Sequence, residues 1–236
     1  MKRIFAAAAA LALVCILTAC GTASPAPEGG TTTPMEESKA AGEITIPAPE
    51  ESSDTPDDTL GILTGGTYTN KTARITCTLD DSWVFYNERE LEELNGVLTA
   101  AGGGDVASLA ESGKAVYDMY AVSTGGLMTM NVTYQNLGLL SGASMTAQEY
   151  VEWAAETLPG DLAASGFTDA EVQIAAQDLA AERDCPTLLV TAQLQDMPMY
   201  ERMVCIQSGD YIYCVTLCSF TEDVTADMAA LFHRAR

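Results

Sequence analysis

The sequence predicts an α+β fold, an antiparallel sheet flanked by helices, and three observations carry that prediction. Met128, Met130, Val132 and Tyr134 alternate with Thr129, Asn131, Thr133 and Gln135, the period-two pattern of a strand with one buried face. Three strand-like runs, Thr187 to Leu194, Met199 to Gln207 and Tyr211 to Ser219, follow one another as an antiparallel meander. Tyr150, Trp153, Ala154, Thr157 and Leu158 recur at i, i+3, i+4, i+7 and i+8, one face of a helix. Strands and helices in this succession read as α+β.

Taken in order, Thr67 to Asn70 and Ala73 to Leu79 read as two short strands with a turn between them. Asp80-Asp81-Ser82 turns the chain into Trp83-Val84-Phe85-Tyr86. Asn87 is placed to cap a helix, with Glu90 reaching back to it. Leu91, Leu94, Val97 and Leu98 line one face of that helix, and Gly102-Gly103-Gly104 ends it. Ala115 to Val122 and Leu127 to Gln135 form a hairpin around Ser123-Thr124-Gly125-Gly126. Thr146 with Glu149 is a capping box for the Tyr150/Trp153 helix, and Gly166 lies beyond its end. A strand-like run from Glu171 to Ala176 precedes the meander. A final helix is expected to open near Thr221, with Glu222 and Asp223 in its first turn. Val224, Met228, Leu231 and Phe232 would form its inner face. Residues 67–236 are the size of one domain with a sizeable core.

The chain before this domain has a different character. Lys2 and Arg3 precede an apolar, alanine-rich run from Ile4 to Ile16, the n-region and h-region of a signal peptide and short for a spanning helix. Leu17-Thr18-Ala19-Cys20-Gly21 resembles the lipobox of bacterial lipoproteins. The resemblance implies cleavage of residues 1–19 and acylation of Cys20, hence a protein lipid-anchored to the bacterial cell membrane on its extracytoplasmic face. Two or three acyl chains hold a protein stably, at about 0.8 kcal/mol per buried CH2, where one does so marginally. Residues 20–66 then form an acidic linker with few large apolar side chains, which cannot offset the entropy of ordering. Nine Asp/Glu and Lys39 alone among bases lie between Gly21 and Leu60, so like charges extend the tether.

Charge excludes whole classes of function. With 33 Asp+Glu against 11 Lys+Arg the formal charge is −22. Nucleic-acid binding draws its affinity from Lys and Arg on phosphates and is excluded on that ground. Docking of the domain on an anionic membrane surface is disfavoured in the same way. Cys15 leaves with the signal and Cys20 is acylated, so Cys77, Cys185, Cys205, Cys214 and Cys218 remain. The five have no CxxC spacing and are odd in number. Ser208-Gly209-Asp210-Tyr211 reads as a tight hairpin, and that register sets Cys205 opposite Cys214, either bridged or as buried thiols.

Sites for chemistry are few. The one histidine, His233, would sit near the C-terminus of the last helix beside Arg234 and Arg236, a favourable charge for the dipole. A nucleophile–histidine site would depend on that fraying turn, so no catalytic residue is assigned. Gly102-Gly103-Gly104-Asp105-Val106-Ala107 fits G-x-G-x-x-A but follows a helix where the dinucleotide fingerprint must follow a strand. Met128-Thr129-Met130 and Met197-Pro198-Met199 are M-x-M pairs. Thioethers suit Cu(I), and i, i+2 on a strand faces one side. Core filling accounts for the first pair, while Met197 and Met199 fall in an expected turn beside Asp196 and are the weak metal candidates. There is no D-x-D-x-D-G loop, which leaves Ca2+ only a weak site of scattered carboxylates.

One family resemblance spans most of residues 66–236. Tyr68-Thr69-Asn70 before a strand, Asp80-Asp81-Ser82-Trp83 before a Glu-rich helix, Asp118-Met119-Tyr120-Ala121, Met130-Asn131-Val132 and the Tyr150/Trp153 helix together resemble the Mog1/PsbP-like α/β/α sandwich. That family includes photosystem accessory proteins, a Ran-binding protein and many bacterial lipoproteins. The resemblance implies a non-catalytic binding or accessory module, with no cofactor and no functional residue to carry over. The expected partners are the membrane, through the Cys20 lipid, and a protein or small ligand the sequence does not identify. The alternative is an envelope metal-binding protein for Cu(I) or Ca2+.

Overall fold

Alternating side chains need two faces to cover, and the chain covers them with a second sheet on one side and a helix on the other. The computed structural model describes residues 60–102, 115–137, 145–180 and 183–235. The signal segment, Cys20, the linker to residue 59, Lys114, Arg236 and the glycine motif from Gly103 to Ala107 lie outside the described residues, as do the side chains of Val97 and Leu98.

The large sheet holds seven antiparallel strands: β4 (Trp83–Phe85), β5 (Val116–Ser123), β6 (Met128–Asn136), β7 (Phe167–Ala180), β8 (Arg183–Leu194), β9 (Met197–Ser208) and β10 (Tyr211–Ser219). Their spatial order is β4-β5-β6-β10-β9-β8-β7, so β8, β9 and β10 form the expected meander. The small sheet contains β1 (Ile62–Thr64), β2 (Thr67–Asn70), β3 (Ile75–Thr78) and β11 (Phe232–Arg234), in the order β1-β2-β3-β11. Among the described residues there are three helices: α1 (Glu88–Gly102), α2 (Ala147–Ala164) and α3 (Thr225–Ala229).

Local chemistry explains the helix starts. The Asn87 side chain accepts from the Glu90 amide at 3.1 Å while Glu90 accepts from the Asn87 amide at 2.8 Å. Thr146 and Glu149 make the same reciprocal box, which satisfies two amides left over in the first turn of α2. From there Tyr150, Val151, Ala154, Leu158 and Leu162 face the large sheet. They cover Leu188, Val190, Met203, Cys205, Ile212 and Cys214 in two adjoining clusters. On the opposite face Tyr68, Ile75, Cys77 and Phe232 pack against Met130, Val132, Val204, Ile206, Tyr213, Val215 and Leu217. Full burial of each large side chain contributes about 1.5–3 kcal/mol. The α+β class is therefore as the patterns indicate, and the second face is covered chiefly by the small sheet.

Three elements differ from expectation. β1 lies inside the 20–66 stretch read as linker; its three side chains are all exposed, so no alternation marks it. β7 extends well beyond 171–176, because register shifts at Thr168/Glu171 and Ala175/Asp178 break the period-two signal. The final helix is corrected most. α3 spans five residues with no side-chain cap at Val224, and Thr221, Glu222 and Asp223 precede it. The chain then becomes β11, with Phe232 opposite Cys77 and His233 opposite Thr76. Phe232 fills the space between the sheets, and pairing completes the open edge of β3, which a continued helix would leave bare. Leu231 is exposed, so it does not share the inner face assigned to it.

Candidate functional site

The outer face of the small sheet carries a polar and basic surface. Its registers set Thr69 beside Thr76 and Thr76 beside His233, a polar row across three strands. The inward row is Tyr68, Cys77 and Phe232, each at most 2% exposed. Burial pushes the Cys77 thiol up to about 12, so it stays protonated and serves as core.

Lys71 and Arg74 project from the turn between β2 and β3, and Arg234 ends β11. With Thr69, Thr76 and His233 they line a groove of about 1080 Å³. Lys71, Arg74, His233 and Arg234 are all exposed, and no acidic residue is among the lining. Among the described residues none of these four takes part in an ion pair; the one present joins Arg89 and Glu93 at 3.1 Å.

The turn that presents Lys71 and Arg74 is held from inside. Arg74 has φ of 56°, a left-handed conformation that an arginine adopts only when its surroundings impose it. Its carbonyl accepts from the Ala235 amide at 3.1 Å, which ties the turn to the strand bearing His233 and Arg234. The Asn70 side chain accepts from the Ala73 amide at 2.7 Å and donates to Asp118 at 2.7 Å. Asp118 also accepts from the Tyr68 hydroxyl and, at 2.7 Å, from the Gly61 amide. A side chain on residue 61 would collide with the Tyr68 ring, its Cβ only 2.3 Å from Cε2, so this close approach needs glycine. Burial, and next the charge of Asp118, raises the Tyr68 phenol well above its usual range, leaving it a proton donor.

Asp118 reaches this position through a bulge. The β5–β6 register shifts between Tyr117 and Met119, which leaves Asp118 as the extra residue and turns its side chain toward the small sheet. The Asn95 side chain donates to the Tyr117 carbonyl at 3.0 Å and accepts from the Tyr117 amide at 2.8 Å, supplying α1 partners where the ladder is interrupted. Asp118 appears among the sequence patterns only within the resemblance motif, with no role, and Asn95 is not marked out by them. Their signal was a charged residue within the apolar run Val116 to Val122, and an amide on a helix face otherwise read from its leucines.

The hydroxyls of the groove are engaged within the sheet. Thr76 donates its hydroxyl proton to the Tyr68 carbonyl at 2.9 Å, so Thr69 donates in the 3.0 Å contact between the two threonines. The protons of both threonines are thus used inside the sheet.

The residues singled out by sequence lie elsewhere, apart from His233, which is on a paired strand and not on a terminal helix turn. Cys205 and Cys214 are register partners, as expected, and both are buried thiols with Sγ atoms 3.6 Å apart. Met199 is buried in the cluster beneath the end of α2, and Met197, the first residue of β9, is half-buried against it. Met130 is in the core with Met128 packed on it. Among the described residues no group of three or more His, Cys, Asp and Glu side chains is placed to hold a metal ion. No described helix is long and apolar enough to cross a membrane.

No protein-family model matches this chain, and no curated protein matches it. Among solved structures it is similar to the solution structure of cyanobacterial PsbP (CyanoP) from Synechocystis sp. PCC 6803, at 14% identity and a TM-score of 0.42. The match covers 71% of this chain and 91% of that one.

Proposed function

We propose that this protein is a non-catalytic binding module of the bacterial cell envelope, anchored through an acylated Cys20 and presenting an anion-binding groove on its small sheet. The observation that carries the reading is the convergence of Lys71, Arg74, Arg234 and His233 on one groove in a chain of formal charge −22. Lys71, Arg74 and Arg234 face solvent together, with His233 beside them, in a chain where acids outnumber bases 33 to 11. Two guanidinium forks and an ammonium suit phosphate or carboxylate oxygens, because charge-assisted bonds to them are short and strong. The threonine row gives the groove a polar floor without a free nucleophile. The lipobox-like Leu17 to Gly21 supports the anchor, and the acidic stretch behind it supports a tether.

The ligand in this reading is a soluble, phosphate-bearing anion, since the acidic body of the protein would be repelled from an anionic bilayer. Calorimetric titration of the mature chain with inorganic tripolyphosphate at low salt is expected to show saturable binding that weakens as salt is added. The Lys71→Ala/Arg74→Ala variant should bind about tenfold or more weakly, a loss of about 1.4 kcal/mol. Equal binding by that variant, or binding to vesicles containing phosphatidylglycerol but not to tripolyphosphate, would overturn the assignment.

A further inference from the structure

The hairpin of β9 and β10 brings two cysteines together in a way the groove does not use. Ser208 pairs with Tyr211 around the two-residue turn Gly209-Asp210, and Gly209 has the positive φ of 60° such turns require. The pair closing a two-residue loop exchanges hydrogen bonds, and pairs alternate from there. Gln207 with Ile212 is then non-bonded, Ile206 with Tyr213 bonded, and Cys205 with Cys214 non-bonded. Non-bonded partners stand about 4.5 Å apart at Cα, inside the span of about 4.4–6.8 Å that a disulfide bridges. Their Sγ atoms are already 3.6 Å apart, on the face covered by Ala147, Tyr150, Val151 and Ala154. Bond formation at about 2.05 Å needs small side-chain rotations and no backbone movement.

A cavity borders one member of the pair. It has a volume of about 370 Å³ and is lined by Thr146, Asp184, Cys185, Pro186, Cys205 and Gln207, among others, beside the start of α2. It borders Cys205, whose side chain is fully buried, and places a third thiol, Cys185, on the same wall.

We propose that Cys205 and Cys214 are a redox-active dithiol that closes to a cross-strand disulfide by exchange with a small organic disulfide entering this cavity. The Cys205 thiolate attacks one sulfur of the reagent RSSR, forming Cys205–S–S–R and expelling RS⁻. The Cys214 thiolate then attacks the Cys205 sulfur, forming the protein disulfide and expelling the second RS⁻. The two cysteines lose two electrons, RSSR gains them, and the two thiol protons end on two RSH. Contact with Cys214, then burial, holds the Cys205 thiol well above its ordinary range, so thiolate is scarce and closure is slow. The proposal is independent of the anion groove.

The test is to incubate the mature chain with 2-hydroxyethyl disulfide in native buffer, then denature, alkylate free thiols and map the peptides by mass spectrometry. The expected product links Cys205 to Cys214 with loss of two hydrogens and leaves Cys77, Cys185 and Cys218 alkylated. The Cys214→Ser variant, checked for native circular dichroism, should instead retain the reagent on Cys205 as a mixed disulfide. Alkylation of all five cysteines after prolonged treatment, a Cys185–Cys205 link, or a Cys205–Cys214 link that appears only in denaturant would each overturn the proposal.

Discussion

Replacing Asp118 by alanine tests the internal bracing of the groove. The carboxylate is 8% exposed and accepts from Gly61, Tyr68 and Asn70. Gly61 is half-buried, and water can replace its partner at modest cost. Tyr68 and Asn70 are at most 1% exposed and cannot reach water. A buried donor deprived of its acceptor costs about 1–3 kcal/mol, so two of them set a loss of about 2–6 kcal/mol for Asp118→Ala. Asp118→Asn keeps an oxygen but gives up the charge, and should lose less, about 1–3 kcal/mol. Urea unfolding measures both variants, and Asp118→Ala, Tyr68→Phe and the double variant together give a double-mutant cycle. Once Asp118 is gone, removing the Tyr68 hydroxyl should be nearly free or favourable, a coupling of about 1–3 kcal/mol. Asp118→Ala within 0.5 kcal/mol of wild type, or additive effects at Asp118 and Tyr68, would refute the bracing.

Further outcomes follow from the same structure. Burial raises the thiols of Cys77 and Cys218, the latter with help from Glu201. A proton held more tightly by the folded than the unfolded chain contributes in full below the ordinary thiol value of 9.0 and is lost as pH rises toward 12 for Cys77. The unfolding free energy from urea melts should therefore fall above about pH 9, by about 1.4 kcal/mol per pH unit for each thiol, and a flat profile to pH 11 would contradict this. Trp153 is half-buried against the α2 cluster with its ring 5.9 Å from that of Tyr150, so Trp153→Ala should cost about 1–3 kcal/mol, less than a fully buried ring. A loss above 4 kcal/mol would place the indole deeper than it lies here. Cys20→Ser should abolish labelling by radioactive palmitate, and a variant still labelled would rule out acylation at that cysteine.

What the sequence discloses follows from how local each signal is. The capping boxes at Asn87 and Thr146 and the Gly209-Asp210 turn are written within four residues, and each forms as read. β6 forms as a strand, but Thr129, Asn131 and Gln135 on the face read as open are buried as well. β11 is written partly in its partner: Met228, Leu231 and Phe232 fit a helical spacing, and only the open edge of β3 decides for a strand. The groove was the least legible feature. Lys71 and Arg74 lie about 160 positions from His233 and Arg234, and only the β3–β11 register brings them together. Asp118 was in view within a resemblance motif, but the bulge that turns it inward has no one-residue signature.

Because the chain has a single histidine, its imidazole proton resonances report on the groove without assignment of any other residue. Proton NMR of the mature chain during titration with tripolyphosphate measures the central claim directly. The account predicts that the His233 signals shift saturably, with the midpoint found by calorimetry, and stay fixed in Lys71→Ala/Arg74→Ala. Saturable heat with unmoved His233 signals, or an identical shift in the double variant, would contradict it.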